Sequence, residues 1–86
     1  MKHRFEVVIS LKEGLLDPQG KAVEGSLPAM GWADISRVRI GKHVEITVEA
    51  KSAKAARAQV EEIATRVLSN PVIEDFRVVA AEELPA

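Results

Sequence analysis

The chain is short, almost neutral and free of cysteine. It has 86 residues, a formal net charge of −1 and no cysteine, which excludes disulfides, thiolate metal sites and a cysteine nucleophile. A domain of this size buries a limited core and is commonly stabilised by association. Its lysines and arginines are dispersed, unlike the basic patch of a nucleic-acid-binding protein. No run approaches the roughly 20 apolar residues of a membrane span and no signal peptide is visible, so we expect a single cytoplasmic domain over residues 1–86.

The first and last regular segments predict β-strands. Apolar and polar side chains alternate over residues 3–11 and again over residues 74–81, a pattern typical of strands with one buried face. The apolar side chains of the first segment are Phe5, Val7, Ile9 and Leu11. Those of the last segment are Phe76, Val78 and Ala80.

Two helices are predicted between these strands. The first covers residues 17–30 and begins with Asp17 as its N-cap, because a carboxylate there accepts hydrogen bonds from free backbone N–H groups. Pro28 removes a helical hydrogen bond, so we expect a kink or an early end around residues 25–28. The second helix covers residues 53–69. Its predicted buried stripe consists of Ala56, Val60, Ile63 and Val67.

A β-hairpin is predicted from residues 35–40 and 44–50. A loop of three residues, 41–43, places apolar side chains opposite apolar ones and sets opposite charges against each other, whereas a two-residue loop mixes the faces. The facing pairs are Ile40–Val44, Val38–Ile46, Arg39–Glu45 and Arg37–Thr47. The resulting β-α-β-β-α-β order predicts an α+β, ferredoxin-like fold with a four-stranded antiparallel sheet and both helices on one face.

Residues 14–22, Gly-Leu-Leu-Asp-Pro-Gln-Gly-Lys-Ala, superficially resemble a phosphate-binding loop. That loop needs four residues between its first glycine and the Gly-Lys pair, followed by Ser or Thr. Here five residues separate Gly14 from Gly20, and Ala22 replaces the hydroxyl residue. The carboxylate of Asp17 also has the wrong sign for a phosphate neighbour. We therefore interpret the segment as a turn, a cap and a helix start.

The remaining polar residues show no catalytic constellation. Acidic residues fall near helix and strand ends, where they are usually solvated or capping, and His43 is predicted to be a surface residue. The two histidines show no metal-ligand spacing. RNA-recognition domains of the same topology stack bases on aromatic side chains of the exposed sheet face, but Phe5 and Phe76 are both predicted to point to the core.

Three segments, in this order and at these spacings, resemble the PurS family. They are LLDPQGKAV at residues 15–23, VRIGK at 38–42 and NPVIED at 70–75, and the resemblance extends over residues 4–79. It implies the small subunit of phosphoribosylformylglycinamidine synthase, a glutamine-dependent C–N ligase complex of de novo purine synthesis. That assembly converts formylglycinamide ribonucleotide to formylglycinamidine ribonucleotide with ATP and glutamine.

The resemblance also implies a division of labour. A glutaminase subunit releases ammonia, a large subunit uses ATP and magnesium, and the small subunit bridges them as a dimer or a dimer of dimers and helps ammonia transfer. We accordingly expect no catalytic, cofactor-binding or metal-binding residue in this chain. The expected partner-interface residues are Lys12, Arg37, Arg39, Lys42, Asn70 and Glu74, the basic ones docking on an acidic surface. The alternative is a small-molecule regulatory module of the ACT type, which has the same element order.

Overall fold

A computed structural model describes residues 1–85 as an α+β structure built on one antiparallel sheet. Its strands are β1 (Lys2–Leu11), β2 (Lys42–Glu49) and β3 (Glu74–Glu83). Its helices are α1 (Pro18–Ser26) and α2 (Ala53–Ile63), and a 3-10 turn covers Pro28–Met30. The sheet order is β2-β1-β3. Among residues 1–85 there is no helix with the length and apolarity that crossing a membrane requires.

The core forms between the sheet and α2. The alternation predicted for β1 is confirmed, because Phe5, Val7 and Ile9 are buried on the central strand. Ala56 and Val60 of α2 are also buried against this face. Ser52 caps α2, its side chain accepting a hydrogen bond from the Ala55 N–H. Partly buried side chains surround this core: Val44, Ile46, Ala50, Leu68, Phe76 and Val78.

The end of the second helical region differs from the predicted regular helix. Ala64–Leu68 forms a π-helical turn, and Ser69 closes it by donating from both its backbone N–H and its hydroxyl to the Ala64 carbonyl. A π turn holds more residues than an α turn and so rotates the following side chains. Val67, predicted to be buried, is therefore 74% exposed, while Ala64 remains buried.

Helix α1 begins as predicted and ends early. Asp17 is its N-cap, Pro18 occupies the first turn, and the helix stops at Ser26, shortly before the interrupting Pro28. Gly31 then closes the 3-10 turn with φ 102°, a left-handed conformation that glycine adopts without a steric penalty.

The prediction that both helices cover one sheet face is wrong for the single chain. Helix α2 packs on β1 and β2, whereas α1 makes no comparable contact with any strand of the described part. Residues 18–36, called here the arm, extend away from the core. The radius of gyration is 16.7 Å, compared with roughly 12 Å for a compact chain of this length. The arm consequently exposes large apolar side chains: Val23, Met30, Trp32 and Ile35.

The predicted four-stranded sheet is also wrong for the single chain, which forms three strands. Residues 35–40 form no strand. Their backbone N–H groups at Val38 and Ile40 donate to carboxylates of the α1 region instead of to β2, and Arg37 has φ 59°, which interrupts an extended conformation. The second edge of β2 is therefore left without a neighbouring strand among residues 1–85.

Candidate interaction surface

The three signature segments meet at one end of the sheet. Strand β1 ends at Leu11, and β2 and β3, both antiparallel to β1, begin beside that end at Lys42 and Glu74. The loop after β1, the residues before β2 and the residues before β3 are therefore brought together. We call this region the signature end.

A carboxylate joins the first two signature segments. Asp17 Oδ1 accepts a hydrogen bond from the Gly20 N–H at 3.0 Å, and Oδ2 accepts one from the Ile40 N–H at 2.6 Å. The Asp17 residue is only 4% exposed. The Gly20 N–H, followed by the Ile40 N–H, holds the pKa of this carboxyl below its usual range, because both bonds favour the ionised form. One side chain thus caps α1 and fixes the chain that leads into β2.

A second carboxylate repeats this arrangement two helical turns later. Glu24 Oε1 accepts a hydrogen bond from the Val38 N–H at 3.0 Å, and Lys21 Nζ lies 3.7 Å from Glu24 Oε2. The Val38 N–H, assisted by the Lys21 charge, lowers the pKa of the Glu24 carboxyl. This role of Glu24 is not among the features predicted from the sequence. The spacing of Asp17 and Glu24, seven residues apart on one helix, places both on one side of α1 and was an available signal.

Gly20 is required by the closeness of these two segments. A Cβ atom at this position would lie 2.2 Å from the Val38 carbonyl oxygen and 2.7 Å from Asp17 Oδ2. The first contact is with backbone, which has little freedom to move while Asp17 and Glu24 hold it. The second glycine of the LLDPQGKAV segment therefore serves close backbone packing.

Arg39 ties residues 38–40 to the loop that follows β1. Its guanidinium donates to the carbonyl oxygens of Leu15 at 2.9 Å, Leu11 at 3.2 Å and Lys12 at 3.3 Å. Arg37, in contrast, pairs with Glu13 at 2.6 Å through side chains that are both well exposed. Arg39 is thus committed to contacts within the chain, while Arg37 stays accessible.

The third signature segment forms its own network. Lys42 Nζ lies 3.8 Å from Glu74 Oε2 and donates to the Leu68 carbonyl at 3.4 Å, which places a cation at the C-terminal end of the α2 region. Glu74 Oε1 accepts from the Asn70 N–H at 2.7 Å, and Asn70 Oδ1 accepts from the Val72 N–H at 3.1 Å. These bonds fix the turn into β3.

All six residues predicted for the partner interface lie at the signature end. Four of them use their side chains within the chain: Arg39, Lys42, Asn70 and Glu74. The other two differ. Among the described residues, the charged group of Lys12 lies outside these networks, and that of Arg37 forms only the exposed pair with Glu13. Contact of any of the six with a partner stays a prediction. Within residues 1–85 there is also no group of three His, Cys, Asp or Glu side chains that could hold a metal ion.

Comparisons with known proteins agree with this construction. A family model described as "PurS: Phosphoribosylformylglycinamidine (FGAM) synthase" matches residues 4–82. The PurS subunit of phosphoribosylformylglycinamidine synthase from Bacillus subtilis is 44% identical over 75 residues, covering 87% of this chain and 88% of that protein.

Solved structures give the same result. Thermus thermophilus PurS superposes with a TM-score of 0.86 at 38% identity, covering 99% of this chain and 100% of that one. A chain in a structure of PurLQS from Thermotoga maritima has a TM-score of 0.83 at 25% identity, covering 98% and 99%. In both, nearly the whole chain is matched.

The three-stranded sheet and its two helices define a small α+β module, and the similarity to a chain of PurLQS places it among the subunits of larger assemblies. The chain belongs to the PurS family, and it is a subunit of phosphoribosylformylglycinamidine synthase, which acts in purine biosynthesis.

Replacement of Gly20 tests the close packing at the signature end. We expect Gly20→Ala to lower the free energy of unfolding by roughly 1–3 kcal/mol, because its methyl group meets the Val38 carbonyl. Gly25→Ala on the same helix meets no atom within 4 Å and should raise it by about 0.5–1 kcal/mol. Urea unfolding monitored by circular dichroism compares the two. Equal effects of the two substitutions would refute the packing role of Gly20.

The lowered pKa of Asp17 predicts a specific dependence of stability on pH. Its ionised form is favoured by folding, so its contribution is complete above the unfolded pKa of about 4 and is lost as the pH falls through the lower folded value. Asp17→Asn should reduce the melting temperature at neutral pH, because the amide nitrogen cannot accept the second N–H bond. The difference from the unsubstituted chain should narrow below about pH 4. Asp34→Asn, at an exposed position, is the control, and a difference that is constant with pH would contradict the prediction.

Proposed function

We propose that the chain is the non-catalytic bridging subunit of its synthase and joins a glutaminase subunit to an ATP-dependent synthase subunit. The observation that carries this proposal is the use of the signature residues. The charged side chains of Asp17, Glu24 and Arg39 form hydrogen bonds with the chain's own backbone. Side chains that are hydrogen-bonded in this way fix the shape of the surface, and they are not free to act on a substrate.

The chemistry is accordingly assigned to the partners. The assembly converts formylglycinamide ribonucleotide, glutamine and ATP to formylglycinamidine ribonucleotide, with ATP and magnesium bound by the large subunit and not by this chain. The chain's contribution is to assemble the complex and to assist ammonia transfer. A cytoplasmic location is part of the same proposal.

Self-association is the second part of the proposal. The arm leaves Met30 at 65% and Trp32 at 54% exposure, and exposed apolar groups of this size are typical of an interaction surface. The extended shape, 52 × 29 × 14 Å, also leaves a small core covered by one helix. A second copy that covers these groups supplies the burial that the single chain lacks, as a dimer or a dimer of dimers.

Reconstitution tests the bridging role. The purified synthase and glutaminase subunits of the same organism are assayed for product formation with glutamine or with free ammonium as nitrogen donor. Omitting this chain should abolish most glutamine-dependent turnover and leave ammonium-dependent turnover of the large subunit in place. A similar glutamine-dependent rate with and without the chain would refute the proposal.

The accessible cations at the signature end are proposed to dock on an acidic surface of a partner subunit. Lys12→Ala combined with Arg37→Ala should weaken complex assembly on the order of tenfold and leave the melting temperature nearly unchanged, because exposed ion pairs contribute little to stability. The matched control is Lys51→Ala combined with Lys54→Ala, which removes the same charge beyond the opposite end of β2. Binding measured by sedimentation should be weakened by the first pair only; equal weakening by both would remove Lys12 and Arg37 from the interface.

A further inference from the structure

A cavity lies between the beginning of β1, the end of β3 and the beginning of α2. This is the end of the sheet opposite the signature end. The cavity has a volume of about 370 Å³, which is within the range of clefts that hold small molecules. Phe5, Ala53 and Ala81 are among the residues that line it. We call it the His3 cavity, after the buried residue described next.

His3 supplies an unsatisfied polar atom at this cavity. Its side chain belongs to the same row of β1 as Phe5, Val7 and Ile9, so it lies on the sheet face that α2 covers. His3 is 2% exposed and lines the cavity. The Nε2 atom of its ring has no hydrogen-bond partner among residues 1–85. Buried polar atoms are normally hydrogen-bonded, so this atom indicates that the cavity receives a polar group.

The beginning of α2 adds backbone donors. Ser52 accepts the N–H of Ala55 with its side chain and the N–H of Ala56 with its carbonyl oxygen. The N–H groups of Ala53 and Lys54 donate to no backbone or side-chain group in the described part of the chain. Both residues line the cavity. Unpaired N–H groups at the beginning of a helix favour a negatively charged group.

The cations at the cavity are Lys54 and Arg57. The guanidinium carbon of Arg57 lies 5.9 Å from the centre of the Phe5 ring, so this charge is held beside the apolar lining. Its distance to the Glu61 carboxylate is 3.9 Å, which is a weak contact on the helix surface. Both cations are exposed and therefore retain the freedom to turn toward a ligand.

The carboxylates near the cavity limit the charge that it accepts. Glu82 aligns with Arg4 in the sheet and bonds to it at 2.6 Å, so its charge is offset on the other sheet face. Glu83 aligns with His3, which places its side chain on the cavity side. Two positive charges against one negative charge favour a ligand with a single negative charge.

We infer that the His3 cavity binds a small organic monoanion. Its carboxylate accepts hydrogen bonds from His3 Nε2 and from the unpaired N–H groups at the beginning of α2, and its apolar part lies against Phe5. The Nε2 atom is itself covered in the free chain, so binding displaces neighbouring side chains, and the exposed Lys54 and Arg57 change rotamer readily. This site is independent of the bridging role proposed above.

A titration of the full chain with benzoate tests the inference by nuclear magnetic resonance. Benzoate should shift the backbone amide signals of Ala53 and Lys54 saturably, with a dissociation constant on the order of millimolar. Benzamide, which has the same ring without the charge, should bind at least about fivefold more weakly. Inorganic phosphate, which has no apolar part, should also bind more weakly. Equal binding of benzamide or of phosphate, or no saturable shift with benzoate, would overturn the inference.

Replacement of His3 tests the contribution of Nε2. His3→Phe keeps a buried ring and removes the unsatisfied polar atom, so the melting temperature should not fall. Benzoate binding should weaken about fivefold or more. His43→Phe is the control, because His43 is exposed and its ring contacts Glu6 on the other sheet face. It should change benzoate binding by less than about twofold, and equal weakening by both substitutions would contradict the site.

A matched pair of arginine substitutions tests the charge without altering a buried residue. Arg57 and Arg66 are both exposed, and each lies four residues from a glutamate that it contacts. Arg57→Gln should weaken benzoate binding about threefold or more, whereas Arg66→Gln should leave it unchanged. Both variants should keep the melting temperature of the unsubstituted chain. The same affinity in both variants would remove Arg57 from the site. These measurements use the chain without its partner subunits, so their outcome is separate from that of the reconstitution.

Discussion

The Asp17 carboxylate is the interaction on which the rest of the structure depends. It accepts hydrogen bonds from the N–H groups of Gly20 and Ile40. It thereby fixes the relative positions of two parts of the chain that lie 20 residues apart in sequence. Glu24 adds a second bond to the same stretch, and Arg39 attaches that stretch to the loop after β1. The helix start, the approach to β2 and the end of β1 thereby become one rigid unit. None of these bonds requires α1 to lie on the sheet, so the arm is fixed at its base and uncovered along its length.

The shape of the chain beyond the end of β1 is determined by this polar network and not by the apolar core. The buried apolar residues lie between β1, β2 and α2. They do not determine the position of the segments beyond the end of β1. Past that end the chain relies on carboxylate-to-backbone bonds, which are directional and stronger than neutral hydrogen bonds. Such bonds set where an edge or an arm points, while the apolar groups they leave exposed remain available to another surface.

Local chemistry made much of the fold predictable from the sequence. The alternation of β1, the cap at Asp17 and the early end of α1 before Pro28 each depend on a few neighbouring residues, and each is confirmed. The site was predictable in part: the motif residues do gather at one end, but their bonds depend on which distant backbone groups reach them. The prediction that Val67 is buried was wrong because one π turn, closed by Ser69, changes the helical period. The sequence pattern assumed that this period is constant.

The incorrect hairpin follows from a limit of register arguments. The pattern that set Val38 opposite Ile46 and Arg39 opposite Glu45 specifies which residues pair, but pairing between two copies satisfies the same pattern as pairing within one. The choice between them depends on residues 41–43, which must reverse the chain for a hairpin. Here Asp17 and Glu24 occupy the N–H groups on one side of residues 38–40, and that contact holds the stretch beside α1, away from its own β2. The pattern of apolar and charged residues therefore specifies possible pairs, and the bonds to Asp17 and Glu24 decide that residues 38–40 do not pair with β2 of the same chain.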